Sequence, residues 1–511
     1  MDIVAPSSRI SLLQFFLCLI GLYIVRKIWV FARLRHFAGP FWAGFSDWPH
    51  SKAMLGDNCH EWYAEITNTH GSIARVAPNL LVTSSPGVWA HVNSNPGYKR
   101  SGWFYKALRS EHRRDSVFTQ TDSQKHERRR KQLGPGLLVN KNSGIESSID
   151  GCLQELLGLI RSKYISSEAV IVPVDLARKL QYFLLDCISS IALGKSFGNL
   201  QSDTDKDGCI KAIEEAFMLW TASLALGIGW LPQVPLIGPL FLPSLKDEAG
   251  FGKFMSKCFS YVDERAANVG DKDSDMLASF MRNGVVDDEL RSEALIFMTV
   301  GSVNPLGAIS GTLLYIITNL RVYTKLQREI DSAVRDGKAP PVGEGIITSS
   351  QTKRLSYLQA TVREGLRLWP PVDGLFARDV PPGGDTIVVD GKSIFLPGGV
   401  SIGRSGTGMY RSKEIFGEDA NSFRPERWFE PDDTKLASMT RTSDMVFNHG
   451  KAQCLGKAIT HVEVGKTIFE LLRNFEFALL NPTRPWSTVN TLGLFILSNM
   501  WVQVTERVVD H

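Results

Sequence analysis

Apolar residues recur at helical spacing over most of the chain, and this pattern predicts a mainly α-helical protein with small β-sheets. The predicted helices cover Ile145–Arg161, Asp175–Leu193, Lys206–Leu226, Lys246–Val269, Asp288–Leu320, Val322–Arg335, Tyr357–Leu368 and Leu455–Phe475. Short strand-like runs lie at Ser72–Thr83, Asp385–Leu396 and Phe495–Val508. Because no second linker, internal repeat or low-complexity tract follows Pro40, we expect a single large domain.

The N-terminus carries a long apolar stretch. Ile10–Val25 has no charged residue, and with Ile28–Phe31 it becomes long enough to span a bilayer. The basic pair Arg26–Lys27 can extend its charges to the membrane surface. No small-residue cleavage site ends the stretch, which favours an uncleaved anchor over a removed signal peptide. We expect residues 1–35 to form a transmembrane anchor with its basic flank, and residues 36–511 to form the main body on the cytosolic side.

A second uncharged stretch, Phe217–Leu245, is apolar enough to suggest another membrane span. It contains four prolines, at positions 232, 235, 239 and 243, and these interrupt a straight helix. The stretch therefore favours a buried or interfacial helix and loop over a second span.

Composition and charge exclude some classes of protein. The 511-residue chain has a formal net charge of +4, and no run of Lys or Arg alternates with aromatic residues, so nucleic acid is not an expected partner. The seven cysteines are scattered and odd in number. This is typical of free thiols on the reducing side of a membrane and not of a disulfide framework.

One cysteine lies in a constrained loop, Phe447–Gly456, of sequence FNHGKAQCLG. Cys454 has no second cysteine nearby, which argues against a zinc site of paired ligands and against a Cys-x-x-Cys redox pair. The helix predicted from Leu455 onward places backbone N–H groups and a helix dipole beside the sulfur, where they stabilise a thiolate. Gly450 and Gly456 allow tight turns and the close approach of a flat ligand. The loop alone is compatible with a metal ligand and equally with a buried structural cysteine.

Three further motifs accompany this loop. Glu364 and Arg367, in EGLR, lie one helical turn apart, and Arg427 follows in FRPERW. One carboxylate between two guanidinium groups can form a buried ion network. The segment His126–Lys131, HERRRK, is strongly basic. Each motif alone is also typical of a solvated helix, but their order and spacing together with the Cys454 loop are specific.

In these motifs the chain resembles the cytochrome P450 family of haem-thiolate monooxygenases, over essentially its whole length after Pro40. The resemblance implies a haem cofactor whose iron takes Cys454 as its axial thiolate ligand. The other positions that match the family are Phe447, Gly450 and Gly456 in the cysteine loop, His126, Arg130 and Arg378 as contacts of the haem propionates, and Glu364, Arg367 and Arg427 as a structural ion network.

The resemblance further implies a reaction and its partners. Members of the family insert one oxygen atom into a small apolar substrate, with electrons that come from NADPH through a separate reductase. The N-terminal anchor resembles that of microsomal members, so we expect a single-pass protein of the endoplasmic reticulum membrane with a cytosolic catalytic domain. The motifs look most like those of ascomycete enzymes of secondary metabolism, similar to pisatin demethylase, which suggests a terpenoid- or polyketide-like metabolite. The basic run Arg128–Lys131 is a candidate docking surface for an acidic reductase.

The cysteine loop departs from the family pattern at two positions. Ala452 stands where the family usually has an Arg or His that touches a propionate, and Asn448 stands where it has a glycine. The adjacent Lys451 is a possible substitute for the lost cation, but we expect its side chain to point elsewhere.

The long helix lacks the groups that normally handle oxygen. In one register Val303 occupies the position of the family's acid and Asn304 that of its Thr, and Pro305 follows; in the register shifted by one, Asn304 and Pro305 occupy them, and neither register restores a carboxylate or a hydroxyl. We expect Pro305 to kink the helix, and Asn304 with Ser302 to bind water as the candidate catalytic residues. The loss of the acid and the Thr leaves two alternatives open beside oxygen insertion: a haem-thiolate enzyme that rearranges, cyclises or dehydrates its substrate, and a catalytically silent haem binder.

Overall fold

The computed structural model describes residues 6–140, 142–268, 270, 275–389 and 391–508, without the side chains of residues 6–13 and 143. Within these residues the α-helices are α1 (Pro6–Arg33), α2 (Trp48–Leu55), α3 (Cys59–His70), α4 (Pro86–Ser94), α5 (Gly102–Tyr105), α6 (Ser123–Leu133), α7 (Ser143–Lys163), α8 (Leu176–Leu193), α9 (Asn199–Ser202), α10 (Cys209–Ala225), α11 (Gly250–Ala267), α12 (Met276–Arg282), α13 (Asp287–Ile317), α14 (Leu320–Arg335), α15 (Ser349–Thr352), α16 (Ser356–Leu368), α17 (Gly406–Tyr410), α18 (Lys413–Phe416), α19 (Asp433–Asp444) and α20 (Lys457–Asn474).

The strands are short and form small sheets. They are β1 (Ile73–Ala77), β2 (Leu80–Thr83), β3 (Lys99–Arg100), β4 (Val174–Asp175), β5 (Arg378–Asp379), β6 (Asp385–Val389), β7 (Lys392–Leu396), β8 (Ser401–Arg404), β9 (Phe475–Leu479), β10 (Ser487–Thr491), β11 (Leu494–Ser498) and β12 (Trp501–Glu506). One sheet has the order β1-β2-β8-β5-β3 and another has the order β4-β12-β9, while β6–β7 and β10–β11 are antiparallel pairs. The expectation of a mainly helical domain with small sheets is confirmed.

The eight predicted helical stretches all contain a helix, and the ends differ from the prediction by a few residues. Each of the three predicted strand-like runs holds two strands, or most of two, joined by a turn. Ser72–Thr83 contains the pair β1–β2, Asp385–Leu396 contains β6–β7, and Phe495–Val508 spans β11 and β12. Two predicted positions, Val269 and Asp390, lie outside the described residues.

Helix α13 runs through the core and packs closely on α8. It is long and apolar enough to cross a membrane, but two thirds of its most apolar window is buried inside the protein. A Cβ atom at Gly301 would lie 2.6 Å from the Ile188 side chain of α8, so glycine permits this close approach. Helix α13 is therefore a core helix, and α8 fixes one of its faces.

Helix α1 contains the stretch expected to be the anchor. Residues Gln14–Arg33 are long and apolar enough to cross a membrane and are not buried. The last turn of α1, however, is bound to the body. Arg75, only 3% exposed, donates to the carbonyl oxygens of Val30 and Phe31 at 3.2 Å each. These carbonyls belong to the turn that a helix end leaves without partners. Leu34 is fully buried, so residue 35 lies next to packed structure.

The uncharged stretch Phe217–Leu245 is not a second span. Helix α10 ends at Ala225, and the rest consists of loop and two short 3₁₀ turns, Leu231–Gln233 and Gly238–Phe241. Many of its large apolar side chains are exposed, including those at positions 219, 226, 230, 236, 240 and 241. The prediction of a helix followed by a loop is confirmed, and the exposed apolar side chains suit an interfacial location.

Candidate active site

Cys454 lies in the loop that precedes α20. Its backbone N–H donates to the Phe447 carbonyl oxygen at 2.7 Å, and the N–H groups of Gly456 and Lys457 at the start of α20 donate to its sulfur. Among the cysteines that the structure describes, Cys454 and Cys18 of α1 are exposed and the others are buried. The recess around the sulfur is poorly solvated, which raises the pKa of the thiol, whereas the two N–H groups and nearby Arg130 act in the opposite direction. These donors favour the thiolate once a metal competes for it.

The matched positions of the loop have distinct structural roles. Phe447 is buried, and its ring lies 5.1 Å from that of His461 in α20. Gly450 has φ 58°, in the left-handed region that favours glycine. Gly456 has φ −82°, which any residue adopts, but a Cβ there would lie 3.8 Å from the Cys454 sulfur. Glycine at 456 therefore keeps one side of the sulfur open.

Asn448 occupies a backbone conformation that suits glycine. Its φ of 64° and ψ of −171° lie in a region that costs a non-glycine residue about 1–3 kcal/mol. The indole N–H of Trp89, in α4, donates to the Asn448 side-chain oxygen at 3.2 Å, and the His449 backbone N–H donates to the same atom at 3.0 Å. The loop thus tolerates Asn448 because the side chain makes bonds that glycine cannot.

Three guanidinium groups lie close to the imidazole of His126, and one of them, that of Arg130, also lies close to Cys454. His126 in α6 is buried, and its Nε2 atom has no hydrogen-bond partner among the described residues. Burial, and then the charges of Arg100, Arg130 and Arg378, lower the pKa of His126 to about 3, so the ring is neutral. None of the three arginines forms an ion pair with a carboxylate in the described part of the chain. The cluster is therefore prepared for an external anion.

Arg100 was missed from the sequence. It belongs to the two-residue strand β3, which pairs antiparallel with β5 so that Arg100 lies directly opposite Arg378. Arg378 also donates to the hydroxyl of Tyr105, and the Arg100 guanidinium lies 4.8 Å from the centre of the same ring. Nothing in the local sequence indicates this pairing, because it depends on a contact between segments almost 280 residues apart.

The basic run Arg128–Lys131 divides between three environments. Arg129 donates to the fully buried Glu293 of α13 at 2.7 Å, and Arg130 lies beside Cys454. Arg128 and Lys131 are the exposed members. As a docking surface the run therefore presents two cations and not four.

Lys451 does not replace the cation absent at Ala452. Its ammonium group is exposed and lies 3.3 Å from the Glu127 carboxylate on the surface. The expectation that its side chain points elsewhere is confirmed. Arg100 is a further cation close to Arg130 and Arg378.

Glu364, Arg367 and Arg427 form one buried network. The Glu364 carboxylate accepts from both Nε and a terminal nitrogen of Arg367, at 3.0 and 2.7 Å, and from Nε of Arg427 at 2.8 Å. The Trp428 indole N–H donates to it at 3.1 Å. All three charged side chains are 0–2% exposed. The network joins α16 to the loop before α19.

The two candidate catalytic residues of α13 are not equivalent. Ser302 is buried, and its hydroxyl donates to the Thr299 carbonyl oxygen of the same helix at 3.0 Å. The Oδ1 atom of Asn304 is buried without a hydrogen-bond partner among the described residues. An ideal helix places the two side chains about 200° apart, which disfavours a single water between them, and their binding of water stays a prediction.

Pro305 lies inside α13, and the helix continues without a break on both sides of it. The kink itself stays a prediction. Its nitrogen carries no hydrogen, which frees the Gly301 carbonyl oxygen from its usual bond. On the face of α13 that carries Asn304, the absence of side chains at Gly307 and Gly311 accommodates the ring of Trp369. Asn304 therefore lies beside a close contact between α13 and the end of α16.

These residues fit a haem. Its two propionates require cations, which the arginine cluster offers, and an anion would satisfy the unpartnered Nε2 atom of His126. Its iron requires one strong axial donor, and Cys454 is exposed in the same recess near Arg130.

Comparisons with known proteins agree with this fit. The cytochrome P450 family model matches residues 48–502. The chain is 36% identical to cytochrome P450 monooxygenase ABA1 of Pyricularia oryzae, over 94% of this chain and 93% of that protein. It is 33% identical to cytochrome P450 monooxygenase aba1 of Botryotinia fuckeliana, over 86% of each chain. It is 28% identical to pisatin demethylase of Fusarium vanettenii, over 89% of this chain and 87% of that protein. The chain belongs to the cytochrome P450 family and is a monooxygenase of that family.

Proposed function

We propose that this monooxygenase oxidises an apolar, terpenoid- or polyketide-like metabolite in a fungal biosynthetic pathway. The observation that carries the proposal is the Cys454 sulfur, which accepts two N–H groups at the start of α20 and lies near Arg130, one of three arginines that pair with no carboxylate of the described residues. Cys454 would hold the haem iron, while Arg100, Arg130, Arg378 and His126 would hold the propionates. When bound, the haem supplies a redox-active iron whose thiolate ligand favours cleavage of the O–O bond.

We place the protein in the endoplasmic reticulum membrane, with α1 as its single span and the body in the cytosol. The length and exposure of α1 support this location. Electrons would come from NADPH through a reductase that docks near Arg128 and Lys131, the exposed members of the basic run. Both positions lie on α6, which also carries His126 and Arg130, so this surface is close to the proposed propionate site.

The residues of α13 would govern the supply of protons. Val303 is 3% exposed and cannot carry a proton. Asn304 can accept a hydrogen bond through its unpartnered Oδ1 atom but does not titrate. Asn304 would therefore position a water molecule or a substrate hydroxyl, and that group would provide the proton path. The absence of a titrating group also favours a second candidate, a non-oxidative rearrangement, cyclisation or dehydration.

The haem assignment is tested with the Cys454→Ala variant. The ferrous carbon-monoxide complex of the wild type should absorb near 450 nm, as the family name implies, and the variant should lose this band. Cys18→Ala, which removes the exposed thiol of α1, is the matched control and should keep it. Retention of both the band and activity in Cys454→Ala would overturn the assignment.

Turnover under ¹⁸O-labelled dioxygen separates the two reactions. A monooxygenase incorporates label and requires NADPH and the reductase, whereas a non-oxidative enzyme forms unlabelled product in an anaerobic mixture without reductant.

A further inference from the structure

We propose that a second polar site, formed by Asn490 and Asp373 beside the proposed haem site, binds an uncharged hydroxyl group of the substrate. The inference deepens the proposed function, since it names a feature of the substrate, and it rests on that function. Asn490 lies in β10, and Asp373 lies in the segment between α16 and β5.

Both side chains line one narrow cavity. About 20 Å³ of the cavity is open to the centre of a water-sized group, so it has room for about one such group. Its apolar wall includes Met54, Phe104 and Leu492. A space of this width accepts a hydroxyl group, which has the size of a water molecule, at the end of an apolar molecule.

Asn490 offers a hydrogen-bond donor that the protein does not use. The residue is 3% exposed, and its Nδ2 atom has no hydrogen-bond partner in the described part of the chain. Its backbone N–H donates to the Asp57 carbonyl oxygen at 2.9 Å, which fixes the position of the strand. A buried amide without a partner destabilises the folded protein, so a ligand that accepts from it gains affinity.

Asp373 offers an acceptor in a fixed orientation. The residue is 3% exposed, and one carboxylate oxygen accepts from the backbone N–H of Thr407 at 2.8 Å and from its hydroxyl at 2.5 Å. Its own N–H donates to the Gly493 carbonyl oxygen at 2.7 Å, next to the β10–β11 turn that Asn490 leads into. A carboxylate has about four lone-pair directions, so these bonds leave capacity for another donor.

An amide donor and a carboxylate acceptor in one cavity select among polar groups. A hydroxyl group both accepts and donates, so it can bond to Asn490 and Asp373 together. A ketone can accept from Asn490 but has nothing to give Asp373. A ligand carboxylate would meet the charge of Asp373 and is disfavoured.

The cavity is connected to the proposed haem site by two short segments. Phe104 lines the cavity, and its neighbour Tyr105 accepts from Arg378 of the cationic cluster. Asp373 lies five positions before Arg378 in the chain. A substrate held here by its hydroxyl group would therefore lie near the haem site.

The test uses the full-length holoprotein in detergent and three probes of equal chain length, 1-nonanol, 2-nonanone and nonanoate. Isothermal titration calorimetry measures binding and does not depend on haem chemistry, while the carbon-monoxide spectrum reports the haem separately. We expect 1-nonanol to bind about 3- to 10-fold more tightly than 2-nonanone, the value of one hydrogen bond, and nonanoate to bind most weakly.

The Asn490→Leu variant should lose affinity for 1-nonanol and for 2-nonanone by about 3- to 10-fold each. The milder Asn490→Ser variant should keep part of the affinity and covers the case in which Asn490→Leu fails to fold. Thr488→Val is the matched control, because Thr488 also has a buried unpartnered oxygen on β10 but does not line the cavity. This control should bind all three probes as the wild type does.

Equal affinity of the wild type for the three probes, or no binding of 1-nonanol, would overturn the proposal. So would unchanged affinities in Asn490→Leu together with a lower unfolding temperature, which would show that the cavity holds a structural water only. If the wild type shows the expected binding pattern but no carbon-monoxide band, the haem assignment is contradicted and the proposed polar site stands.

Discussion

Removal of the Glu364 carboxylate is a stringent test of the buried ion network. Glu364 accepts five hydrogen bonds, from two nitrogens of Arg367, Nε of Arg427, the indole of Trp428 and the backbone N–H of Arg424. Glu364→Ala leaves two guanidinium groups buried without their shared anion. Loss of one partner from a buried ion pair costs about 3–5 kcal/mol.

The structure places the expected cost at the lower end of that range. Arg367 keeps bonds to the carbonyl oxygens of Tyr410 and Ala420, and Arg427 keeps one to the Phe416 carbonyl oxygen. We therefore expect a loss of about 3 kcal/mol, which lowers the folding equilibrium constant about 150-fold. Against a typical total of about 5–15 kcal/mol, such a protein is marginal and should carry little haem.

Urea unfolding and the ratio of haem absorbance to protein absorbance measure the two effects. Glu364→Gln should lie between wild type and Glu364→Ala, because it keeps an acceptor but loses the charge. Glu418→Ala is the control: this residue is 87% exposed and pairs with Lys413, so the change should cost less than about 0.5 kcal/mol. Wild-type stability and haem content in Glu364→Ala, with altered substrate selectivity, would refute a purely structural role.

The other predictions concern the anchor, a buried acid and the oxygen site. Deleting residues 1–27 should give a protein that keeps its haem and its unfolding temperature. Deleting residues 1–35 also removes the turn bound to Arg75, so it should lower the unfolding temperature measured by calorimetry by several degrees. Equal unfolding temperatures for the two deletions would argue against a bound turn. Burial raises the pKa of Glu463 from 4.5 to about 8, so the unfolded state ionises first and the folded state loses stability as pH rises from about 4.5 to 8. Glu463→Gln should therefore raise the urea midpoint at pH 8 and change it little at pH 4.5. An equal gain at both pH values would contradict this cause. Val303→Asp combined with Asn304→Thr should leave the product profile nearly unchanged or reduce turnover, measured by product chromatography, whereas a marked gain in oxidised product would show that the wild type lacks a proton path of its own.

Local patterns in the sequence predicted the elements that depend on local physics. The 3.6-residue period located the long helices, and the spacing of Glu364 and Arg367 indicated a pair one turn apart, which the structure shows. The same period also separates Ser302 from Asn304 by about 200°, so their different environments follow from the sequence alone. The β1–β2 turn lies at residues 78–79, inside the predicted strand-like run Ser72–Thr83, and both of its strands are fully buried.

Contacts between distant segments could not be predicted in this way. Arg100 meets Arg378 only because β3 and β5 pair, and a two-residue strand has no recognisable pattern. Arg129 and Arg130 are adjacent in the chain but face different partners, since one reaches α13 and the other the cysteine loop. The polar site at Asn490 and Asp373 likewise depends on the packing of the β10–β11 turn against the segment after α16.

The hydrogen bonds between Arg75 and the last turn of α1 affect how the body of the protein is oriented relative to the membrane. If α1 crosses the bilayer, its connection to the body is fixed and not flexible. The Arg75 guanidinium bonds to two carbonyl oxygens of α1, and the rings of Phe31 and Phe45 stack on each other. The height and tilt of the body above the lipid would then be set by the fold. A lipophilic substrate would arrive by lateral diffusion in two dimensions, toward an entrance held at constant depth. A reductase anchored in the same bilayer would have to reach the body at that height, so the fixed connection would restrict which reductases can dock.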